Sequence, residues 1–363
     1  PFTEFTRPLL WLMTYMAGTK DFSSARSPET VDAVLLAGDR GASRTVCGRN
    51  KSFLHINGIP LFVHVLKALE GAELVDRICI IGPHEQIERT LAEHYGPPTR
   101  EKGLIICEQS DSLFHNVWKS FLELAPEARS ADAPSPAVRE KSILYISGDV
   151  PLVTPFEIDS FLRGCDRARY DYSLGIAAAE HLTFFRPRLG TPGISTHFFH
   201  IKEGKFRQNN LHLVKPLMVE NRGYIQKVYD FRYQRDSRNI LRLAREFFKV
   251  HVGWQGFWCY GLLHWHQFLS RIHLNPLTLP TRFLLPRSFI EGCVSRVLGT
   301  RFGTTVTPLV GAVLDVDNER DYRAMCDMFS VWQRHLAECE DRMRDRLSAT
   351  ISSGAQQPGS RVA

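Results

Sequence analysis

The run Val31 to Ala37, VDAVLLA, does most to limit what this chain can fold into. It is apolar almost throughout. A strand with no polar alternation is buried on both faces, as in the interior of a parallel sheet covered by helices on either side. The run leads into a loop holding Gly38 and Gly41, with two cations beyond it, Arg44 and Lys51. Glycines let such a loop wrap a ligand without Cβ clashes. Free backbone N–H groups together with Arg and Lys suit phosphates. Far along the chain, ISGDVPLVTP (Ile146 to Pro155) reads as a second strand that ends in Asp149 at a proline-containing turn. A carboxylate there suits a divalent metal that carries more of the same phosphates. Together the two segments point to chemistry on a nucleoside triphosphate.

Between and after them the periodicity alternates. Helical spacing is predicted over Pro60 to Leu69, Glu85 to His94, Ser112 to Leu124 and Pro155 to Cys165. Strands are predicted over Arg77 to Ile81, Leu104 to Cys107, Ser142 to Ser147 and Tyr172 to Ala178. That order is the signature of an α/β, Rossmann-like doubly wound sheet. Residues 1–29 read as an irregular leader, and Pro126 to Lys141 as a surface loop rich in Ala, Pro, Ser and charge. The pattern changes after His181. Residues 182–310 are rich in aromatics and arginine, and read as a helical insertion with its clearest helices over Arg238 to Lys249 and Trp254 to Ile272. Strand character returns over Val306 to Asp317, a charged helix follows over Glu319 to Arg346, and residues 347–363 read as a disordered tail.

With 363 residues, 44% of them hydrophobic and 23% charged, the chain has an ordinary globular composition. Its net charge of +6 suits anionic partners. No RRM, KH, zinc-finger or helix-turn-helix signature accompanies that charge, so no specific nucleic-acid partner is expected. The eight cysteines are scattered without a C-x-x-C pair, and are expected to be reduced thiols in a cytoplasmic protein. No apolar stretch reaches about 18 residues, the length of a spanning helix. The short apolar run Leu9 to Ala17 lacks a basic flank, and is not expected to act as a secretory signal. The aromatic and basic residues 222–272 leave three roles open: packing on the sheet, a homodimer interface, or peripheral contact with the inner face of a membrane.

The loop is neither a Walker A motif nor a dinucleotide fingerprint. Its order is nevertheless specific: Leu36-Ala37-Gly38, then Arg44, then Lys51 with Leu54, then Asn57-Gly58-Ile59-Pro60-Leu61. This resembles the opening of the nucleotidyltransferases with a GT-A-like fold, which include the molybdenum-cofactor guanylyltransferases and the sugar-phosphate nucleotidylyltransferases. Their opening is LAGG-x-G-T-R, then K-x-L, then G-x-P-L. Here Asp39 replaces the second glycine, the loop has one extra residue before Arg44, and Lys51 to Leu54 is one residue longer. GDVPLVTP matches their GD-x-P-L-x-x-P, and LDVDNERDY (Leu314 to Tyr322) resembles their D-x-D-T-P-E-D-Y.

The resemblance implies a mixed, mostly parallel sheet with a helical insertion, and transfer of a nucleoside monophosphate from an NTP to a phosphorylated small-molecule acceptor. It implies Mg²⁺ held by Asp149 and Asp317, with Asp315 as a neighbour able to share that role. In a strand, residues two apart face the same way. It makes Arg44 and Lys51 the cations on the phosphates, and places Leu36, Ala37, Gly38, Gly41, Ser112 and Asn116 around the nucleotide. Ser112 is equally an ordinary helix N-cap. The middle region of this fold lines the acceptor pocket, where Arg188 and Lys215 are the candidates for an anionic acceptor. Two other readings stay open: a GT-A glycosyltransferase using Asp315 and Asp317 as its D-x-D, and a non-catalytic nucleotide-binding protein, which Asp39 favours.

Overall fold

A computed structural model describes residues 29–39, 45–95, 102–129, 134–224 and 279–354, together with Trp258, Gly261, Leu262 and Trp265. By its contacts the chain divides into residues 1–30 and residues 31–363, and the described strands and helices all belong to the second unit. The leader, Arg44 and Gly41 in the loop, and most of the aromatic stretch 222–272 lie outside the described residues. Of that stretch, Trp258, Gly261, Leu262 and Trp265 are helical; both tryptophans are exposed and Leu262 packs against the core. Among the described residues no helix is long and apolar enough to cross a membrane. The seven described cysteines are all free.

The chain builds β1 (Val31–Leu36), two short hairpins, β2 (Thr45–Val46) with β3 (Arg49–Asn50) and β4 (His55–Ile56) with β5 (Ile59–Pro60), and then α1 (Leu61–Gly71). Next come β6 (Val75–Gly82), α2 (His84–His94), β7 (Leu104–Glu108), α3 (Leu113–Leu124) and β8 (Ile143–Ser147). After them come α4 (Pro155–Gly164), β9 (Tyr172–Ala178), β10 (Phe199–Ile201), β11 (Gly204–Val214), α5 (Arg287–Leu298), β12 (Phe302–Val306) and α6 (Glu319–Gly354). Eight strands form one sheet in the order β12-β9-β11-β8-β1-β6-β7, with β10 paired to β11. Strand β1 is parallel to β6 and β8, β6 to β7, and β12 to β9, whereas β11 runs against both its neighbours. The sheet is thus mixed and mostly parallel, as expected.

Strand β1 shows why its sequence does not alternate. Ala33 and Leu35 face a core built with Phe62, Leu66 and Leu69 of α1 and Ile158 and Phe161 of α4. Val34 faces the opposite core, with Phe121 and Leu124 of α3 and Val297 and Leu298 of α5. Asp32 is buried at the strand's start, where its carboxylate takes two bonds from Arg77, at 2.9 and 2.7 Å, and an ion pair from Lys141 at 3.0 Å. A third cluster packs Met325, Phe329, Trp332 and Leu336 of α6 on Ile56, Leu61, Leu314 and Val316.

The structure differs from the sequence reading in several places, among them the expected loop Pro126 to Lys141, which holds a short helix over Pro136–Glu140. Residues 182–310 are not only a helical insertion, because they supply β10, β11 and β12 to the main sheet. Strand β11, GKFRQNNLHLV, hides its nature behind charged and amide residues, and its burial alternates only along part of its length. The expected strand Val306 to Asp317 ends at Val306. Pro308 cannot donate to a ladder, and a 3₁₀ turn over Gly311–Val313 follows. Helix α6 continues to Gly354, past the predicted end at Arg346, since no glycine or proline interrupts it before that residue.

Helix α4 starts with Thr154 as N-cap, whose side chain accepts the Glu157 N–H at 3.2 Å. Glu157 itself is fully buried. Burial pushes its carboxyl up to about 8 from the ordinary 4.5, against the pull of the Ala312 and Gly311 N–H groups that it accepts. The folded state therefore keeps a proton that the unfolded chain releases, and stability declines as pH rises between those two values. The contribution is complete below pH 4.5 and gone above about 8. Urea melts at several pH values should show the wild type losing on the order of a few kcal/mol relative to Glu157→Gln across that window.

Candidate nucleotide-binding edge

The ends of β1 and β8 lie side by side, because the two strands are parallel and in register from Asp32 with Ile143 to Leu36 with Ser147. The loops that leave these two strands therefore meet at one edge of the sheet. Gly148 donates its N–H to the Leu36 carbonyl at 2.8 Å, which brings Asp149 next to the loop after β1. Asn50 reaches back to the same loop, its side-chain amide donating to the Ala37 carbonyl at 2.9 Å and its oxygen accepting from Ser52 N–H at 3.0 Å. Lys51 starts the 3₁₀ turn Lys51–Phe53 that these bonds anchor.

Lys51 Nζ stands 2.5 Å from Asp149 Oδ2 and 3.3 Å from Asp317 Oδ1. Three residues from distant parts of the chain thus share one spot. Asp149 is almost wholly buried and accepts from Ser147 Oγ at 2.5 Å, whereas the Asp317 side chain is 39% exposed. Burial alone would lower the Lys51 pKa, but Asp149 and then Asp317 hold the ammonium well above its usual range. Asp315 accepts from Arg207 Nη2 at 3.0 Å. Burial, followed by the charges of Asp317 and Asp149, pushes its carboxyl up to about 7. Asp315 and Asp317 come together on an irregular segment, not on a strand, and their side chains turn to different cations. The buried Leu314 and Val316 between them anchor that segment.

Of the other residues expected around the nucleotide, Gly38 and Asn116 come together just beyond β1. A Cβ on Gly38 would meet Gln109 Oε1 at 2.9 Å and Asn116 Nδ2 at 3.4 Å, so glycine permits this close approach. Asn116 is buried and accepts from Ser110 N–H at 2.5 Å. Ser112 is the N-cap of α3, taking the His115 N–H. Asp39 is engaged by Gln109, which accepts its N–H at 2.8 Å and donates Nε2–H to its carboxylate at 2.7 Å. The Asp39 carboxylate, which stands where the family has a second glycine, is therefore held by an amide.

The two acceptor candidates part company. Arg188 lies in the Arg188–Thr191 turn and donates to the Thr183 carbonyl. It lines a cavity of about 560 Å³ with Arg320 and Arg323, beside Glu319 and two residues beyond Asp317. Lys215 does not join the site, and that expectation is corrected. It follows β11, the strand that runs opposite to β8, so it lies at the other edge of the sheet. There it is buried, paired with Glu140 and Asp171 and bonded to the Arg167 carbonyl at 2.9 Å.

Arg207, Ser147 and Asn50 escaped the sequence reading. Ser147 and Asn50 had a signal, being two residues before Asp149 and one before Lys51. Arg207 had none, because β11 was not recognisable as a strand.

The profile of the MobA-like NTP transferase domain matches residues 33–246, more than half of the chain. The chain belongs to this family. A curated relative, the 2-C-methyl-D-erythritol 4-phosphate cytidylyltransferase of Chlorobium phaeovibrioides (strain DSM 265 / 1930), is 30% identical over 115 residues. The matched part is 31% of this chain and 44% of that protein, so the chain spans less than half the length of the curated relative. Among solved structures, a hypothetical transferase from Thermus thermophilus superposes with a TM-score of 0.53 at 20% identity, over 80% of this chain and 99% of that one. That likeness shows the fold. In this MobA-like domain the matched region holds β1 from Ala33 on, Lys51 and Asp149, while Asp315 and Asp317 lie beyond it.

Lys51→Met should lower stability by roughly 1–3 kcal/mol at neutral pH, since it strands Asp149 without a cation, with solvent screening at Asp317 limiting the loss. Asp149→Asn in the same chain should recover most of it. A double-mutant cycle of denaturation midpoints reads the coupling directly.

Proposed function

We propose that the chain is a nucleotidyltransferase that moves a nucleoside monophosphate from an NTP to a phosphorylated small-molecule acceptor. The observation that carries this reading is the convergence of Lys51, Asp149 and Asp317 beside the loop after β1. An acceptor phosphate oxygen attacks the α-phosphorus, a P–O bond forms, the α–β bridging bond breaks, and pyrophosphate leaves. No covalent bond to the protein is needed, so the chain's part is positioning and charge neutralisation.

Mg²⁺ fits these residues. Asp149 and Asp317 already share a single cation between them. Among the described residues no group of three or more His, Cys, Asp or Glu side chains is arranged to hold a metal. Two carboxylates suffice for an ion that takes its other ligands from water and substrate phosphates. When bound, it would neutralise charge on the α-phosphate and the attacking oxygen. Lys51 stays an ammonium and offsets the charge that develops toward pyrophosphate, with Arg44 assigned the same task. Gly38, Gln109 and Asn116 shape the wall beside the nucleotide. Arg188, with Arg320 and Arg323, is the candidate for the acceptor's phosphate. We assign the protein to the cytoplasm, with packing on the sheet, a dimer interface and contact with a membrane surface as the roles open to the aromatic residues 222–272.

A D-x-D glycosyltransferase is disfavoured because Asp315 is turned to Arg207 and Asp317 to Lys51. A non-catalytic binder loses its main support because Gln109 holds Asp39. The test offers each of the four NTPs with Mg²⁺ and a panel of phosphorylated sugars and polyols, and measures pyrophosphate. One combination should turn over, and Asp149→Asn should reduce it by roughly 100-fold or more while the cooperative melt persists. Turnover of Asp149→Asn at the wild-type rate would remove that residue from the site.

A further inference from the structure

We propose that Glu157 is a positioning residue: its buried carboxyl holds the Gly311–Ala312 turn, and so sets where Asp315 and Asp317 stand against Asp149 and Lys51. The inference rests on the nucleotidyltransferase reading for its consequence, and on geometry alone for its cause.

The residues Thr154-Pro155-Phe156-Glu157 have the spacing of a capping box, in which the acid at the third helical position folds back to the N-cap's own N–H. Half of that box forms, since Thr154 Oγ1 accepts the Glu157 N–H at 3.2 Å. The carboxyl goes elsewhere. Its two oxygens lie 3.3 and 3.2 Å from the Ala312 nitrogen and accept that N–H across 155 residues of sequence. The neighbouring Gly311 N–H also favours the ionised carboxyl. Burying a carboxyl completely is costly, and a leucine of similar size would fill the space at less cost. What the carboxyl supplies is an acceptor for the buried Ala312 N–H, a bond that an apolar side chain would leave unmade.

The turn so held is closely docked. A Cβ on Gly311 would come within 2.2 Å of the Leu152 carbonyl oxygen, so the turn lies flush on the loop that follows Asp149. Asn210 Nδ2 donates to the Ala312 carbonyl at 3.0 Å, and Val316 donates its N–H to the Asp149 carbonyl at 3.1 Å. The acidic segment is thus tied at both ends to the Asp149 loop and its helix. Glu157 supplies the tie farther from the chemistry and acts on Asp315 and Asp317 through the backbone alone. Helix α4 therefore carries two parts of one device: its preceding loop brings one carboxylate, and its first turn locates the segment that brings the others.

The experiment compares Glu157→Gln, Glu157→Asp and Glu157→Ala in the full chain, by pyrophosphate release at saturating NTP and by hydrogen exchange of peptides covering residues 309–318. Glu157→Gln keeps the reach and an acceptor, and should stay within about 5-fold of wild-type kcat. Glu157→Asp keeps the acid but withdraws it by one methylene. It should lower kcat by roughly 10-fold or more, with KM for the NTP changed less than about 3-fold, and should speed exchange over 309–318 while β1 and β8 stay protected. Glu157→Ala should do the same more strongly, and Glu157→Asp is decisive where the alanine variant does not fold. Wild-type kcat and exchange in Glu157→Asp, with only a lower melting temperature, would overturn the proposal and leave Glu157 a packing residue. Faster exchange over 309–318 in a protein whose wild type releases no pyrophosphate from any NTP would overturn the nucleotidyltransferase reading instead, leaving the turn's dependence on Glu157 standing.

Discussion

One ammonium group organises the carboxylate edge of this protein. Lys51 Nζ is the point at which Asp149, from the end of β8, and Asp317, from the segment before α6, come within ion-pair distance of a common partner. Carboxylates this close repel one another, and a low-dielectric setting magnifies the repulsion. Asp315, just behind them, has its carboxyl pushed up first by burial and then by the charges of Asp317 and Asp149. A cation between them is what makes the arrangement tolerable in the folded chain. Under the proposed function, the same edge would offer a triphosphate charges that are already fixed before substrate arrives.

The sheet brings the three residues together by two different means. Parallel pairing of β1 and β8 is local to the α/β repeat, and places the Asp149 turn beside the glycine loop through the Gly148 to Leu36 hydrogen bond. Asp317 arrives from the other end of the chain and depends on packing. Leu314 and Val316 are inserted among Leu61, Met325, Phe329 and Trp332, and burial of each such side chain contributes roughly 1.5–3 kcal/mol. Hydrophobic burial sets the path of that segment, and hydrogen bonds donated by the Ala312 and Val316 N–H groups set its register.

The middle of the chain was the least legible in sequence, and for a physical reason. Strand β11 lies between β8 and β9, yet its residues include Lys205, Arg207, Gln208, Asn209 and Asn210. Asn209 and Asn210 are used there as hydrogen-bonding struts to Thr307 and Ala312. A strand that commits its side chains to tertiary bonds shows no apolar run, so neither its place nor its direction could be read. The misplacement of Lys215 follows from that. Without the antiparallel direction of β11, nothing in the sequence shows that Lys215 is carried to the edge away from Asp149, into the ion cluster around Asp171.

The sequence by itself determined the α/β class, the buried character of β1, β6 and β8, the glycine at the close approach beside Gln109, and the family. These depend on local patterns, namely apolar runs, turn residues and short motifs at fixed spacing. Lys51, Asp149 and Asp317 were nameable as candidates on the same basis. Only the tertiary structure decided that they share one spot, that Asp315 turns to Arg207, that Gln109 holds Asp39, and that Glu157 reaches Ala312 instead of its own helix cap. Each of those is a contact between residues 70 to 266 positions apart. Partners that distant are chosen by the direction of strands and the packing of helices, which no local pattern encodes.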